Sequence, residues 1–192
     1  MNKSESKFFN TSIKMHRALF EILEYKSFSL INVKELCDKA NINRSTFYSH
    51  YESINDLLIE AKEYLMKLFL DSFNKDVLLM DLPLNVSEDY IKNNFILPYL
   101  IFVKKYKLQF KVFVENLKVF NADAYYYSLL NKVLKPSLIR KGITDDLTID
   151  YLCKFYLTGI TSMIMEWINR DCNDDIDYIA EVIMQCNKHT IY

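Results

Sequence analysis

Hydrogen-bonding side chains are concentrated in one short stretch of the chain, Asn43 to His50, with the sequence NRSTFYSH. The guanidinium of Arg44 can donate two hydrogen bonds to the O6 and N7 acceptors of a guanine. The neighbouring hydroxyl, amide and imidazole groups can contact base edges or phosphate oxygens. His50 could instead be a catalytic base, but no nucleophile or carboxylate stands at a spacing that supports this role. The stretch therefore favours recognition of a nucleic acid.

Two short helices joined by a turn are predicted to position these side chains. The apolar residues of the first helix share the spacing of one buried face: Val33, Leu36, Cys37 and Ala40. Asn32 can cap this helix, and Glu35 can complete a capping box. The Asn-Ile-Asn sequence that follows suits a sharp turn, because asparagine tolerates the left-handed backbone. The second helix is predicted from about Arg44 to Tyr51 with Phe47 facing inward, so the pair forms a helix-turn-helix.

A further helix is predicted on each side of this motif. The preceding helix spans about residues 10–25 and follows a frayed arm over residues 1–9. The following helix starts at Ser53, which can act as its N-cap, and continues to about residue 73. We therefore assign residues 8–70 to a helix-turn-helix domain.

The composition predicts an all-α fold for the whole chain. Two glycines and three prolines in 192 residues are too few turn formers for a β-sandwich or an α/β fold. A change in composition around Pro83 separates the first domain from a second helical domain, which we assign to residues 71–192.

The predicted helix from Asp146 to Arg170 is apolar on more than one side, which indicates burial against two partners. One explanation is a dimer, in which this helix and the last one form a four-helix bundle with a second copy. The alternative is a central position in the core of a single chain. The candidate dimer residues are Tyr156, Ile160, Met163, Trp167, Ile176, Ile179 and Ile183.

Aromatic residues are frequent in the second predicted domain and could line an apolar pocket for a small ligand. The alternative is that these rings pack the core, which is the commoner role for any single aromatic residue. The candidate pocket residues are Tyr99, Phe102, Tyr106, Phe110, Phe113, Tyr126, Phe155 and Tyr156.

The segment VKELCDKANINRSTFYSHYESINDLL resembles the DNA-binding segment of TetR-type (TetR/AcrR) transcriptional regulators. Buried and exposed residues both agree with the family pattern T-V-x-x-I-A-x-x-A-G-V-S-x-x-T-L-Y-x-H-F-x-S-K-x-x-L. The matching residues are Val33, Leu36, Cys37, Ala40, Ile42, Asn43, Thr46, Phe47, Tyr48, His50, Tyr51, Ser53 and Leu57. Near the C-terminus, YLTGITSMIMEWINRD resembles the dihydroxyacetone-kinase-regulator-like subgroup of the family.

The resemblance implies a homodimeric repressor that binds a palindromic operator in double-stranded DNA and responds to a small-molecule effector. Effector binding in the C-terminal domain would change the separation of the two DNA-binding heads. The predicted DNA-contacting residues are Asn32, Lys34, Asn43, Arg44, Ser45, Thr46, Tyr48, Ser49 and His50. No enzyme activity, cofactor, metal or membrane partner is expected. The expected location is the cytoplasm.

Three departures from the family pattern affect this expectation. Asn41 stands where the written pattern has glycine, and Ser45 stands at one of its variable positions, which the resemblance associates with glycine. Ile54 stands where the pattern has a lysine that contacts phosphate. The net charge of the chain is -1, although the first 50 residues carry eight Lys or Arg against five Asp or Glu. A helical ligand-binding or protein-interaction module without DNA binding is therefore the alternative function. A TetR-like activator is a variant of the expected DNA-binding regulator.

Overall fold

The structure is a computed structural model that describes the backbone of residues 3–73, 86–121 and 123–189, and the side chains of residues 4–73, 86–121, 131–132 and 134–186. All regular secondary structure in these ranges is helical, which confirms the predicted all-α class. No helix within them combines the length and apolarity needed to cross a membrane. The chain divides into two compact units, Met1–Leu68 with Leu108–Asn121 and Phe69–Lys107 with Ala122–Tyr192.

The first unit contains the predicted helix-turn-helix. Its helices are α1 (Lys3–Leu23), α2 (Val33–Ala40) and α3 (Arg44–Tyr48), followed by α4 (Ile54–Asp71), whose last residues belong to the second unit. A short 3-10 helix, Phe28–Leu30, connects α1 to α2. Helix α1 begins at Lys3, so the predicted frayed arm over residues 1–9 is wrong for the part that the structure describes.

A small apolar core holds α1, α2, α3 and α4 together. Its members from these helices are nearly inaccessible to solvent: Met15, Leu19, Ile22, Leu36, Phe47, Leu57 and Ala61. They recur at helical spacing, so each helix has one buried face and one face left for solvent or a partner. The start of α4 is fixed by a reciprocal cap, in which the Ser53 N–H donates to the Asp56 carboxylate at 2.8 Å and the Asp56 N–H donates to Ser53 Oγ at 3.3 Å.

A segment from the middle of the chain completes the first unit. Helix α7 (Lys107–Glu115) and the residues after it pack on the end of α1, where Phe20 stacks on Phe120 with 5.7 Å between ring centroids. Lys111 lies 3.9 Å from Glu24. The division into residues 8–70 and 71–192 did not anticipate this return of the chain. As an assignment of separate functions, that division stays a prediction.

The second unit contains α5 (Glu88–Ile91), α6 (Leu97–Lys105), α8 (Asp123–Arg140), α9 (Asp146–Asn169) and α10 (Ile176–His189). A π-helical turn, Lys92–Ile96, joins α5 to α6. Pro98 lies in the first turn of α6, directly after the π turn, where its missing backbone N–H costs no helical hydrogen bond.

Packing in the second unit pairs α8 with α9 and α10 with α6. Phe69 at the end of α4 contacts the rings of Phe73 and Phe102, at centroid distances of 5.0 and 5.1 Å. Lys92 on the π turn donates to Glu181 on α10 at 2.5 Å. Helix α9 starts at Asp145, which accepts the Thr148 N–H at 2.8 Å, in agreement with the predicted N-terminus.

Candidate nucleic-acid interface

The N-terminus of α2 is held by half of the predicted capping box. Asn32 Oδ1 accepts the Glu35 N–H at 3.0 Å, as expected for an N-cap. The Glu35 carboxylate, however, accepts from Lys26 at 2.6 Å instead of turning back to the Asn32 N–H. The Lys26–Glu35 ion pair connects the segment after α1 to the first turn of α2. The charge of Lys26 is thereby neutralised within the unit.

The turn between α2 and α3 depends on Asn41, which adopts a left-handed backbone with φ 53° and ψ 54°. The Ile42 N–H then donates to the Cys37 carbonyl at 3.0 Å, which satisfies a carbonyl at the end of α2. Asparagine adopts this conformation at lower cost than most side chains. The replacement of the family glycine at Asn41 therefore preserves the turn.

Helix α3 is short and fixed from its inner side. It ends at Tyr48 rather than at the predicted Tyr51, and the next residues leave the helix. Phe47 is fully buried and Tyr51 is 5% exposed, so two aromatic anchors hold the segment. Asn43 occupies the N-cap position without a side-chain cap bond.

The structure gives the exposure of the predicted DNA-contacting residues and does not test whether they bind DNA. Most of them are exposed: Asn32, Lys34, Asn43, Arg44, Ser45, Tyr48 and Ser49. Thr46 and His50 are partly buried. The Ser49 hydroxyl donates to the Thr46 carbonyl at 2.7 Å, which leaves its lone pairs rather than its proton for a ligand.

The cations of this unit differ in whether a carboxylate neutralises them. Lys26 pairs with Glu35, and Lys39 pairs with Glu21 at 3.2 Å. Among the described residues no carboxylate lies within 4.0 Å of Arg44 or Lys34. These two side chains keep their charge and hydrogen-bond donors for a ligand such as DNA.

His50 is packed against α1, a contact that the sequence did not indicate. Its ring stacks on Phe8 with 3.7 Å between centroids and a 15° interplanar angle. Its Nδ1 lies 3.2 Å from Ser12 Oγ. Burial lowers the pKa of His50, although the negative charge of Glu60 opposes this effect. Phe8, Ser12 and Met15 recur at i, i+4 and i+7, which is the signal that would have extended α1 towards its N-terminus.

A second histidine lies deeper in the same region. His16 is 4% exposed, and its Nε2 lies 3.2 Å from the Tyr51 hydroxyl and 3.5 Å from Glu60 Oε1 on α4. Its Nδ1 is buried and has no hydrogen-bond partner in the described part of the chain. Burial lowers the pKa of His16 from 6.5 to about 4, because a charged ring would lose its hydration there. His16 is therefore neutral at ordinary pH. Its contacts link α1 to α4 and to Tyr51, in the segment that follows α3.

The aromatic residues predicted to line a ligand pocket are divided between the two units. Phe110 and Phe113 are buried in the first unit, whereas Tyr99, Phe102 and Tyr156 are buried in the second. The other two described members also belong to the second unit, with Tyr106 partly buried and Phe155 61% exposed. Tyr126 lies outside the described side chains. The pocket stays a prediction.

The candidate dimer residues are placed mainly inside their own unit. Tyr156, Trp167 and Ile183 are buried, and the Trp167 ring N–H donates to the Asp174 carbonyl at 3.1 Å. The remaining members, Ile160, Met163, Ile176 and Ile179, are partly buried. Large apolar side chains do face outward on α9, but they are neighbours of the predicted set: Leu147, Tyr151 and Phe155.

Comparison with known proteins gives a family match and two similar folds. A TetR-group family model described as "Transcriptional regulator C-terminal region" matches residues 92–188. No curated protein matches the chain. The solved structure of "Dihydroxyacetone kinase operon activator DhaS" is 17% identical, with a TM-score of 0.52 and coverage of 94% of this chain and 96% of that chain. A Clostridium perfringens protein described as a fatty acid metabolism regulator is 15% identical, with a TM-score of 0.71 and coverage of 93% and 99%.

These matches agree with the helix-turn-helix described above. The family model spans half of the chain. Both solved structures share the fold of this chain along nearly their full length. The chain belongs to the TetR-type family of transcriptional regulators.

Proposed function

We propose that this protein is a homodimer that binds a two-fold symmetric DNA operator through the outer face of α3. The observation that carries the proposal is the contrast between buried and exposed residues in and just after that helix. Phe47 and Tyr51 fix its inner side, while Arg44 is exposed and free of any described carboxylate. A rigid element with an unneutralised guanidinium suits bidentate recognition of a guanine in the major groove.

The other exposed residues of the predicted DNA-contacting set are suited to contacts with the DNA backbone. Lys34 can neutralise a phosphate, while Asn43, Ser45 and Tyr48 can donate hydrogen bonds to phosphate oxygens. Such contacts set position and affinity, whereas Arg44 supplies base discrimination. The proposed target is genomic DNA, so the proposed place of action is the cytoplasm.

The proposed dimer forms through the outer face of α9, which we define by Leu147, Tyr151, Phe155 and Gly159. The first three side chains are 64%, 71% and 61% exposed and lie on one stripe of the helix. A Cβ atom built on Gly159 would meet nothing within 4 Å in the part of the chain that the structure describes, so the helix surface there has space around it. An apolar stripe next to an open glycine suits close approach by the same helix of a second copy.

The direction of regulation is proposed as repression, relieved by an effector in the second unit. An activator is the second candidate, because the fold is similar to a protein that is described as an operon activator. Deletion of the gene distinguishes these candidates: transcription of the target rises for a repressor and falls for an activator.

The test of DNA binding is selection of duplexes from a randomised library by the full chain at low ionic strength. We expect enrichment of a two-fold symmetric sequence, with half-sites separated by about 10 base pairs. Recovery of only unselected sequences, together with an intact dimer, would favour the alternative of a helical interaction module without DNA binding.

A further inference from the structure

Two residues in the second and third turns of α1 form a support for His50. Phe8 stacks on one face of the imidazole, and the buried Ser12 places its hydroxyl 3.2 Å from Nδ1. Within the described residues nothing hydrogen-bonds to the other ring nitrogen, Nε2, and it is not among the buried side-chain nitrogens and oxygens that lack a partner. The ring is therefore held by one nitrogen and one face, and its second nitrogen remains available to a ligand.

We propose that Ser12 and Phe8 are positioning residues that hold His50 in the tautomer with its proton on Nε2, ready to donate to a DNA phosphate. A neutral imidazole carries one N–H, and the other nitrogen is an acceptor. If Ser12 donates to Nδ1, the proton must lie on Nε2 and the ring offers a donor to the phosphate oxygen. If the proton were on Nδ1, Nε2 would present a lone pair and would repel the phosphate.

The groups around Ser12 allow this direction of donation. The Tyr51 hydroxyl lies 3.2 Å from His16 Nε2, and burial together with a hydrogen bond to Glu60 raises the pKa of Tyr51. A glutamate carboxylate accepts and cannot donate, so Tyr51 is the donor to Glu60. The Ser12 hydroxyl keeps its own proton, which it can donate to His50 Nδ1. The charged or titratable groups facing His50 and its support are thus Glu60 on α4, His16 on α1 and Tyr51.

The proposal rests on the proposed DNA binding, but its first test does not need DNA. Nitrogen-15 NMR of the full chain at about pH 8 separates the two neutral tautomers of a histidine ring. We expect the pattern of an Nε2–H ring for His50, and a mixture of tautomers in Ser12→Ala. A predominant Nδ1–H ring in the unchanged protein would overturn the proposal whatever the protein binds.

The second test measures affinity for a random-sequence 30-base-pair duplex at low salt, since phosphate contacts do not depend on sequence. Ser12→Ala should weaken binding about threefold to tenfold at about pH 8. The deficit should close as the pH falls towards about 5, because a protonated ring carries an N–H on both nitrogens. A deficit that is independent of pH would indicate a purely structural role and would contradict the proposal.

Two variants complete the design. Thr11→Ala is the matched control, because the Thr11 hydroxyl donates to the Lys7 carbonyl of its own helix at 2.9 Å and not to His50. In a His50→Gln background, whose amide supplies an N–H without a tautomer, Ser12→Ala should cause no further loss. Ser12→Thr, which keeps the hydroxyl, should restore the pH profile, and Phe8→Ala should reproduce part of the deficit. If the unchanged protein binds no duplex, the proposed function fails; if it binds and Ser12→Ala binds equally at every pH, this inference fails.

Discussion

At the scale of single residues, the candidate site shows which properties can be predicted from neighbours in the sequence. The burial of Phe47 and Tyr51 agrees with their helical spacing, but Arg44 shares that spacing and is nevertheless exposed, at the first position of α3. The environment of His50 depends on Phe8 and Ser12, which are about forty positions away in the sequence. No local pattern connects these residues, so only the packing of α1 revealed the contact.

Arg44→Ala should weaken binding to the selected operator by about 1–3 kcal/mol and relax specificity at one base pair of each half-site. The physical reason is the loss of a bidentate donor from an exposed position without an ion-pair partner. The matched control is Arg17→Ala, because Arg17 lies on α1 and pairs with Glu21 at 2.9 Å. Competition binding against operators mutated base by base would measure the effect, and unchanged specificity would exclude Arg44 as the reader.

His16 predicts a loss of stability in mild acid. Its folded pKa of about 4 lies below the ordinary value of 6.5, so the unfolded chain binds more protons between these values. The stability is fully present above pH 6.5 and is lost as the pH falls towards 4, by up to about 3 kcal/mol. Urea unfolding of the protein and of His16→Gln across this window would isolate the contribution. A histidine NMR titration with a pKa near 6.5 would contradict it.

At the scale of elements, the periodic pattern of α9 predicts that the helix has more than one apolar side. It does not identify what packs against each side. Apolar residues on more than one side indicated two contacts, and the structure supplies one of them through the core around Ile149, Cys153 and Tyr156. The stripe that remains uncovered contains Tyr151 and Phe155 instead of the candidate dimer residues. Sequence periodicity gives the number of apolar faces, but it cannot say which face the chain itself covers.

Phe155→Asp should therefore weaken the proposed dimer by at least about tenfold, because a charge would replace an apolar ring at the interface. Sedimentation equilibrium over a range of concentrations measures the dissociation constant. Tyr25→Asp is the matched control, since Tyr25 is a 65% exposed aromatic residue in the first unit. If the two variants dimerise as strongly as the unchanged protein, the outer face of α9 is not the interface.

At the scale of the whole molecule, two properties cannot be read from any single helix: which cations are left unpaired, and how the chain passes between the two units. The chain as a whole carries a net charge of -1, yet ion pairing within the first unit decides which cations remain for a partner. Leu108–Asn121 returns to the first unit after the chain has entered the second. The two units are therefore interleaved along the sequence.

Lys34→Ala should reduce the salt dependence of DNA binding. Each phosphate neutralised by a cation contributes about -0.9 to the slope of log affinity against log salt. A dimer contains two copies of Lys34, so the slope should become shallower by about two. Lys39→Ala is the matched control, because its ammonium already pairs with Glu21 at 3.2 Å. Equal slopes for Lys34→Ala and the unchanged protein would remove Lys34 from the phosphate-contacting set.

The sequence by itself determined the all-α class, the cap and turn at Asn32 and Asn41, and the burial of Phe47. These features depend on interactions between residues a few positions apart, which residue types and spacing specify directly. The tertiary structure decided the support of His50 by Phe8 and Ser12, the return of residues 108–121 to the first unit, and the uncovered stripe of α9. These depend on which buried faces meet, a choice made by packing between distant segments.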